Sequence, residues 1–366
     1  MKVSIILGTR PEIIKFSPII LEFERLGIDY FILHSGQHYS YSLDRVFFEQ
    51  LGLPEARYNL DVGSGSHGLQ TGKMLIGIED VLKRESPDVV LVQGDTNTTL
   101  AGALAAVKLH IPVGHVEAGL RSYDRSMPEE INRLLADHCS DLLFAPTEKA
   151  RRILAEEGIP EDRIFVTGNT VVDALYRNLR LAEDRREVLS RLGLKEHEFF
   201  LATIHRQENV DEKERLSKIL CGLKFVNERF GFPVVYPVHP RAAKRMKQFC
   251  LKPKGVRLIE PLDYFSFLLL EKYARLVLTD SGGVQEETCI LHIPCVTLRY
   301  NTERPETLEV GSNILAGIEP NNILEKTEIM LKSKCDWPNP FGDGKAGSRI
   351  VRILIEKFGE TNLRRH

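Results

Sequence analysis

Short β-branched and apolar runs recur along the whole chain with amphipathic helical stretches between them, and this alternation constrains the fold most. In the first half the runs are VSIIL, YFILHS, DVVLVQ, PVGHV, LLFAP and IFVTG. In the second half they are FFLATI, PVVYPV, VRLIE, LVLTD and PCVTL. Stretches such as EIIKFSPIILEFERLG and NTTLAGALAAVKLH lie between them. This order argues for parallel sheets covered by helices on both faces. A chain of 366 residues exceeds one ordinary core, so two domains are expected. The break falls after FVTGNTVVDAL, where residues 175–197 read as a charged helical stretch before a new strand series. The fold class expected is α/β, with two Rossmann-like domains whose parallel sheets face a central cleft. Residues 1–170 form the first domain and 171–345 the second. The amphipathic end, about 346–366, follows the Pro/Gly-rich segment CDWPNPFGDGKAG and is expected to pack back, with the first domain as the preferred place.

Composition narrows the function. A formal net charge of −2 with 27% charged residues leaves no basic footprint for nucleic acid. No apolar run approaches the ~20 residues that span a bilayer. The N-terminal MKVSIILGTRPE reads as a first strand rather than a signal peptide, and a cytoplasmic protein is expected. The six cysteines are scattered without a C-x-x-C pair, which suits reduced thiols. Cys289 and Cys295 lack ligand-spaced histidines, so no metal is expected. GSGSHG, Gly63 to Gly68, fits G-x-G-x-x-G letter for letter. The residues before it, ARYNLDV, are not a firm buried strand, so it reads as a loop capping a helix rather than a dinucleotide site.

Ligands of open α/β sheets sit at the carboxyl ends of strands, so the polar residues following each strand are the candidates. After the first strand, GTRPEIIK offers Arg10 and Lys15 near a helix start, with Thr9 as a cap and Pro11 at the first helical position. Asp95 follows DVVLV, where a helix-capping role competes with a catalytic one. Glu117 emerges where PVGHV runs out, with Arg121 four residues on as its expected partner. Glu129 follows Pro128 at a helix start, where negative charge suits the dipole; Glu130 is read as a cap. Together Asp95, Glu117 and Glu129 favour general acid–base work. In the second half His205 with Arg206, and His239 with Arg241, each pair a histidine with an arginine at a strand end, which suits an anion. DSGGVQEE places Ser281, Gly282 and Gly283 at a helix start, a ready phosphate site. Glu287 lies one turn beyond Gly283, placed for sugar hydroxyls, so the two adjacent glutamates read as sugar ligands and the site as a nucleotide site.

These segments resemble the non-hydrolysing UDP-N-acetylglucosamine 2-epimerases, which share the two-domain fold of glycosyltransferases of the B type. The likeness runs nearly end to end, through GTRPEIIK, SGQH, GDTNTTLAG, HVEAGLRS, MPEEINR, GNTVVDAL, HRQEN, YPVHP, TDSGGVQEE and TERPE. It implies cofactor-free, metal-free interconversion of UDP-GlcNAc and UDP-ManNAc for surface polysaccharide or glycan synthesis. UDP leaves to give a bound 2-acetamidoglucal, then adds back. Asp95, Glu117 and Glu129 match the family's acid–base carboxylates, and His205 the histidine near the diphosphate. Arg10 and Lys15 match nucleotide contacts, Phe267 lies where the family holds uracil, Ser281 and Gly282 match diphosphate contacts, and Glu287 the ribose contact. Arg304, in TERPE, is expected to reach the diphosphate or sugar. The resemblance also implies a homodimer, and strand-end ligands from both halves imply closure on UDP. Many bacterial relatives carry a second, activating substrate site near GQH. Here SGQHYSYSLDRVFFEQLGLP and DVGSGSHG look closer to relatives acting on UDP-2,3-diacetamido sugars or their uronic acids. That substrate, a hydrolysing epimerase and a UDP-sugar glycosyltransferase are the alternatives.

Overall fold

The computed structural model describes residues 1–37 and 41–359. The histidine of SGQH, the segment near which bacterial relatives carry their activating site, and the end of the C-terminal stretch lie outside the described residues. The chain divides into two compact units, Met1–Ala174 with Phe341–His366, and Leu175–Pro340.

The first unit is built on seven strands: β1 (Lys2–Leu7), β2 (Asp29–His34), β3 (Tyr58–Asn59), β4 (Val89–Gln93), β5 (Val113–Val116), β6 (Leu142–Ala145) and β7 (Ile164–Val166). All pair in parallel, in the order β3-β2-β1-β4-β5-β6-β7. Val3, Ile5, Ile6 and Leu7 of β1 have no solvent exposure, as a central strand covered on both faces requires. Successive strands are added in opposite directions outward from β1 and β4, which pair through Val3 with Val89 and Ile5 with Leu91. The crevice at such a switch point is where open α/β sheets take ligands. Pro11 opens helix Arg10–Leu26, and Ser66 caps helix His67–Glu85 after the glycine–serine loop.

The C-terminal helix, Ala346–Phe358, packs on helix Arg10–Leu26. A Cβ at Gly347 would come within 2.9 Å of the Pro18 Cβ, so only glycine admits this approach. Asp173 holds the helix start by accepting from the amides of Ala346 and Gly347 at 3.2 and 3.0 Å.

The second unit carries β8 (Phe200–Thr203), β9 (Val234–Pro237), β10 (Val256–Ile259), β11 (Leu276–Thr279), β12 (Cys295–Thr297) and β13 (Asn313–Leu315). Their order is β10-β9-β8-β11-β12-β13, again parallel, with the switch between β8 and β11. Two edge strands, β3 and β13, have no counterpart among the apolar runs of the sequence. Among the described residues no helix is long and apolar enough to cross a membrane.

Candidate active site

Candidate residues gather at the switch point of each unit. In the first, the loops after β1, β4 and β5 meet through two carboxylates. Glu12, 2% exposed, accepts from the Gly8 amide at 2.8 Å and the Thr9 hydroxyl at 2.9 Å. It also accepts from Thr96 at 2.7 Å and Thr99 at 3.3 Å. The start of the helix carrying Arg10 and Lys15 is thus tied to the loop carrying Asp95. Burial raises the Glu12 carboxyl above its ordinary range, against the pull of these hydrogen bonds. Thr9 occupies the cap position by backbone only; its hydroxyl serves Glu12 rather than a helix amide.

Glu117, just past β5, is the second carboxylate. Its backbone has φ +70°, a conformation rare for a residue with a Cβ and of the kind concentrated at active sites. Its Oε2 receives Lys15 Nζ at 2.6 Å and the Gln93 amide. Lys15, not Arg121, is therefore its cationic partner. Arg121 instead turns inward to Asp137 at 2.7 Å and Glu157 at 2.6 Å. Arg10 lies over the Phe47 ring, 5.5 Å from its centroid.

Thr96, rather than Asp95, caps helix Asn97–Lys108. Asp95 is thereby released from the capping explanation, and its carboxylate pairs with Arg133. Asn132 donates to the Asp95 carbonyl at 3.0 Å, so helix Pro128–Cys139 stands against the β4 loop. At its start Glu129 is exposed. Glu130, 1% exposed, accepts from the Ser122 and Tyr123 amides at 3.0 and 2.9 Å and pins the preceding loop.

In the second unit His205 follows β8, and its Nδ1 lies 3.2 Å from Asp280 Oδ1 at the end of β11. The contact bridges the switch point. Burial pushes the Asp280 carboxyl up, but hydrogen bonds from His205 and Asn209 outweigh it and hold it below the usual range. His205, His239, Phe267 and Ser281 line one pocket of about 230 Å³, together with apolar residues that include Ile204, Leu262 and Val284. Burial, then His205 and Arg241, hold His239 below its ordinary value, which favours the neutral ring. Its Nδ1 caps helix Pro240–Gln248 by accepting from the Arg241 amide at 3.2 Å. The Arg241 guanidinium is paired with Asp211, so the second histidine–arginine pair does not form as an anion clamp.

Ser281 caps helix Gly282–Ile290, and its hydroxyl accepts from the Val284 amide at 3.5 Å. The first-turn amides of Gly282 and Gly283 have no intrahelical acceptor by construction. A Cβ on Gly282 would lie 2.6 Å from Glu303 Oε1. Glu303 is the hub the sequence reading missed: it takes Arg206 at 2.5 Å and Arg299 at 2.8 Å. Burial raises its carboxyl, but Arg206, Arg299 and Arg304 together force it far below the usual range. Arg304 pairs with Glu286 at 2.7 Å. Glu286, fully buried, is therefore an internal counter-ion and not a sugar ligand. Glu287, one position on, is half-exposed. The signal for Glu303 is present in TERPE, where an acid stands between Thr302 and Arg304.

A family model described as UDP-N-acetylglucosamine 2-epimerase matches residues 22–355. The UDP-N-acetylglucosamine 2-epimerase of Methanocaldococcus jannaschii is 58% identical over 97% of this chain and 99% of its own. The crystal structure of M. jannaschii UDP-GlcNAc 2-epimerase in complex with UDP-GlcNAc and UDP superposes with a TM-score of 0.91, at 58% identity, over 97% of this chain and 100% of that one. A UDP-2,3-diacetamido-2,3-dideoxy-D-glucuronate 2-epimerase of Pseudomonas aeruginosa is 43% identical over 97% of this chain and 100% of its own. The two parallel-sheet α/β units are of the glycosyltransferase B type, and the chain belongs to the UDP-N-acetylglucosamine 2-epimerase family.

Proposed function

We propose that the protein interconverts UDP-GlcNAc and UDP-ManNAc by eliminating and re-adding UDP. The observation that carries this reading is Glu117, held with φ +70° at a strand end and clamped by Lys15 at 2.6 Å. A carboxylate fixed this way, with Asp95 on the neighbouring loop and Glu129 exposed at the adjoining helix start, is what C2 proton exchange needs. A base takes the C2 proton as the C1–O bond breaks, leaving 2-acetamidoglucal and UDP. A proton delivered to the opposite face of C2, with UDP re-adding at C1, gives the epimer. Asp95, Glu117 and Glu129 supply the acid–base groups. His205, with Asp280 behind it, faces the departing diphosphate, and Arg10, Lys15, Arg206, His239 and Arg304 supply positive charge or donors around it. Ser281, Gly282 and Gly283 bind the diphosphate by their helix-start donors, Phe267 covers the uracil and Glu287 accepts from the ribose. The chain supplies every group in this scheme, so no metal or redox cofactor enters it. A homodimer, read from the family resemblance, is the working form, to be checked by light scattering.

Proton NMR of the purified protein with UDP-GlcNAc in D₂O tests the reading. A UDP-ManNAc anomeric signal with deuterium entering at C2 is expected. Free ManNAc with UDP would instead identify a hydrolysing epimerase. The P. aeruginosa relative makes a UDP-2,3-diacetamido sugar the second substrate to try. Turnover of that sugar but not of UDP-GlcNAc would replace the proposed substrate.

The diphosphate assignment has its own test. Gly282→Ala drives a methyl toward Glu303, which its arginines hold in place, and so displaces the helix start. Loss of one charge-assisted hydrogen bond, about 1.5–3 kcal/mol, converts to roughly tenfold or more in the Kd for UDP. Calorimetry showing wild-type UDP affinity in that variant would remove Gly282 from the site.

A further inference from the structure

Glu271 lies on helix Tyr264–Tyr273, one turn beyond Phe267, and is fully buried. Neither of its carboxyl oxygens receives a hydrogen bond from a conventional donor among the described residues. The polar group facing it is the Glu287 carboxyl, from the neighbouring helix Gly282–Ile290. Two carboxylates both accept, so they join only when one of them holds a proton. Burial, then the charge of Glu287, pushes the Glu271 carboxyl well above the usual range, and because Glu271 is fully buried while Glu287 is half-exposed, the proton is held at Glu271.

The other groups around the pair are consistent with a single anion. Burial, then the charge of Glu287 nearby, also raises the Tyr264 hydroxyl, which stays neutral. The buried Cys295 thiol of β12 is pushed up to about 12 and is neutral too. Lys272, next along the helix, is engaged by Glu183. Glu287, itself half-exposed, thus has two neutral groups as neighbours, the Glu271 carboxyl and the Tyr264 hydroxyl.

We infer that Glu271 is a positioning residue for nucleotide recognition: it donates a hydrogen bond to the Glu287 carboxylate and fixes the orientation in which Glu287 accepts from the ribose 2′- and 3′-hydroxyls. This rests on Glu287 being the ribose contact proposed above. It follows that discrimination between a ribose and a sugar lacking both hydroxyls depends on Glu271. It also follows that discrimination fails as pH rises, because an ionised Glu271 would face Glu287 as a second anion.

The test compares the Kd of UDP with that of 2′,3′-dideoxy-UDP by calorimetry on the full chain, from neutral to alkaline pH. The ratio of the two cancels the ionisation of the uracil they share. The wild type is expected to prefer UDP by roughly tenfold or more at neutral pH, and to lose that preference at alkaline pH. Glu271→Gln keeps an uncharged donor, so its preference is expected to persist and to become independent of pH. Glu271→Leu is expected to lose most of the preference at every pH. A Gln variant with the wild-type alkaline decline, or a Leu variant with full preference, overturns the inference. If the Leu variant does not fold, the Gln profile decides alone. A wild type that binds both nucleotides equally overturns the ribose assignment, and the inference with it, while the epimerase assay in D₂O reports separately on the reaction.

Discussion

Glu117→Gln is expected to lower epimerisation turnover by roughly 10²–10⁴-fold, the range for loss of a positioned general acid or base. Glutamine matches the glutamate in size but cannot take a proton from carbon. UDP affinity is expected to be retained or to rise, because Arg10 and Lys15 keep their charge and every group of the second unit stays in place. The same substitution removes the anion from Lys15, whose side chain is only 11% exposed. Breaking one side of a buried pair costs about 3–5 kcal/mol, so the variant is also expected to unfold more easily. Lys15→Met in the Glu117→Gln background removes the stranded cation and should restore part of that stability without restoring turnover. Separating the two effects needs both readouts on both variants: deuterium entry at C2 and the thermal midpoint. A folded Glu117→Gln variant that exchanges the C2 proton near the wild-type rate would reduce Glu117 to a structural counter-ion of Lys15.

Glu117 holds its position at a cost in backbone strain, with φ at +70°. A non-glycine residue in the left-handed region costs on the order of 1–3 kcal/mol and persists only where its surroundings over-determine it. Here the Glu117 amide donates to the Phe144 carbonyl at 3.1 Å, and Lys15 and Gln93 hold the side chain.

That same φ explains where sequence reasoning stops. The β-branched runs are legible because a strand covered on both faces is apolar throughout, and the parallel order then places every post-strand polar residue on one edge of its sheet. Asp95, Glu117, His205 and Ser281 are readable for that reason alone. The edge strand Tyr58–Asn59 is not, because Asn59 and Asp61 interrupt its apolar run and an edge needs little apolar surface. Asn313–Leu315 is too short for a periodic signal. Partners are harder still. Arg121 is four residues from Glu117, but the chain turns at φ +70° and sends Arg121 inward, while Lys15 arrives from 102 residues away. Adjacent Glu286 and Glu287 lie about 100° apart around a helix, so one must face the interior. Spacing does not say which, and the burial of Arg304 decides it. Glu12 reads from sequence as an ordinary acidic residue in a helix first turn; its four donors come from two loops that only the β1–β4 pairing brings together.

Asp137→Asn is expected to cost the first unit about 3–5 kcal/mol, the range for removing one partner from a buried ionic group. Asp137 is 1% exposed and joins three groups: His115 Nδ1 at 2.7 Å, Arg121 at 2.7 Å and the Gly119 amide at 3.2 Å. His115 in turn contacts the Gly94 carbonyl at 2.8 Å, so the cluster supports both the loop before Asp95 and the turn after Glu117. Burial pushes the Asp137 carboxyl up, but His115 and Arg121 outweigh it and hold it below its ordinary value. The sign follows from that depression. The unfolded chain binds the proton more readily, so the stabilisation is present above the unfolded carboxylate value and is lost as pH falls through the folded one. The advantage of the wild type over Asp137→Asn should therefore be full at neutral pH and shrink in acid. Hydrogen exchange of peptides covering β5 and helix Pro128–Cys139 measures it within the first unit, without assuming that the two units unfold together. Equal protection in both proteins at neutral pH would show that the cluster is neutral to stability and that Asp137 is replaceable by any hydrogen-bonding residue of its size, and a difference that does not narrow in acid would show that the stabilisation does not come from the ionised carboxylate.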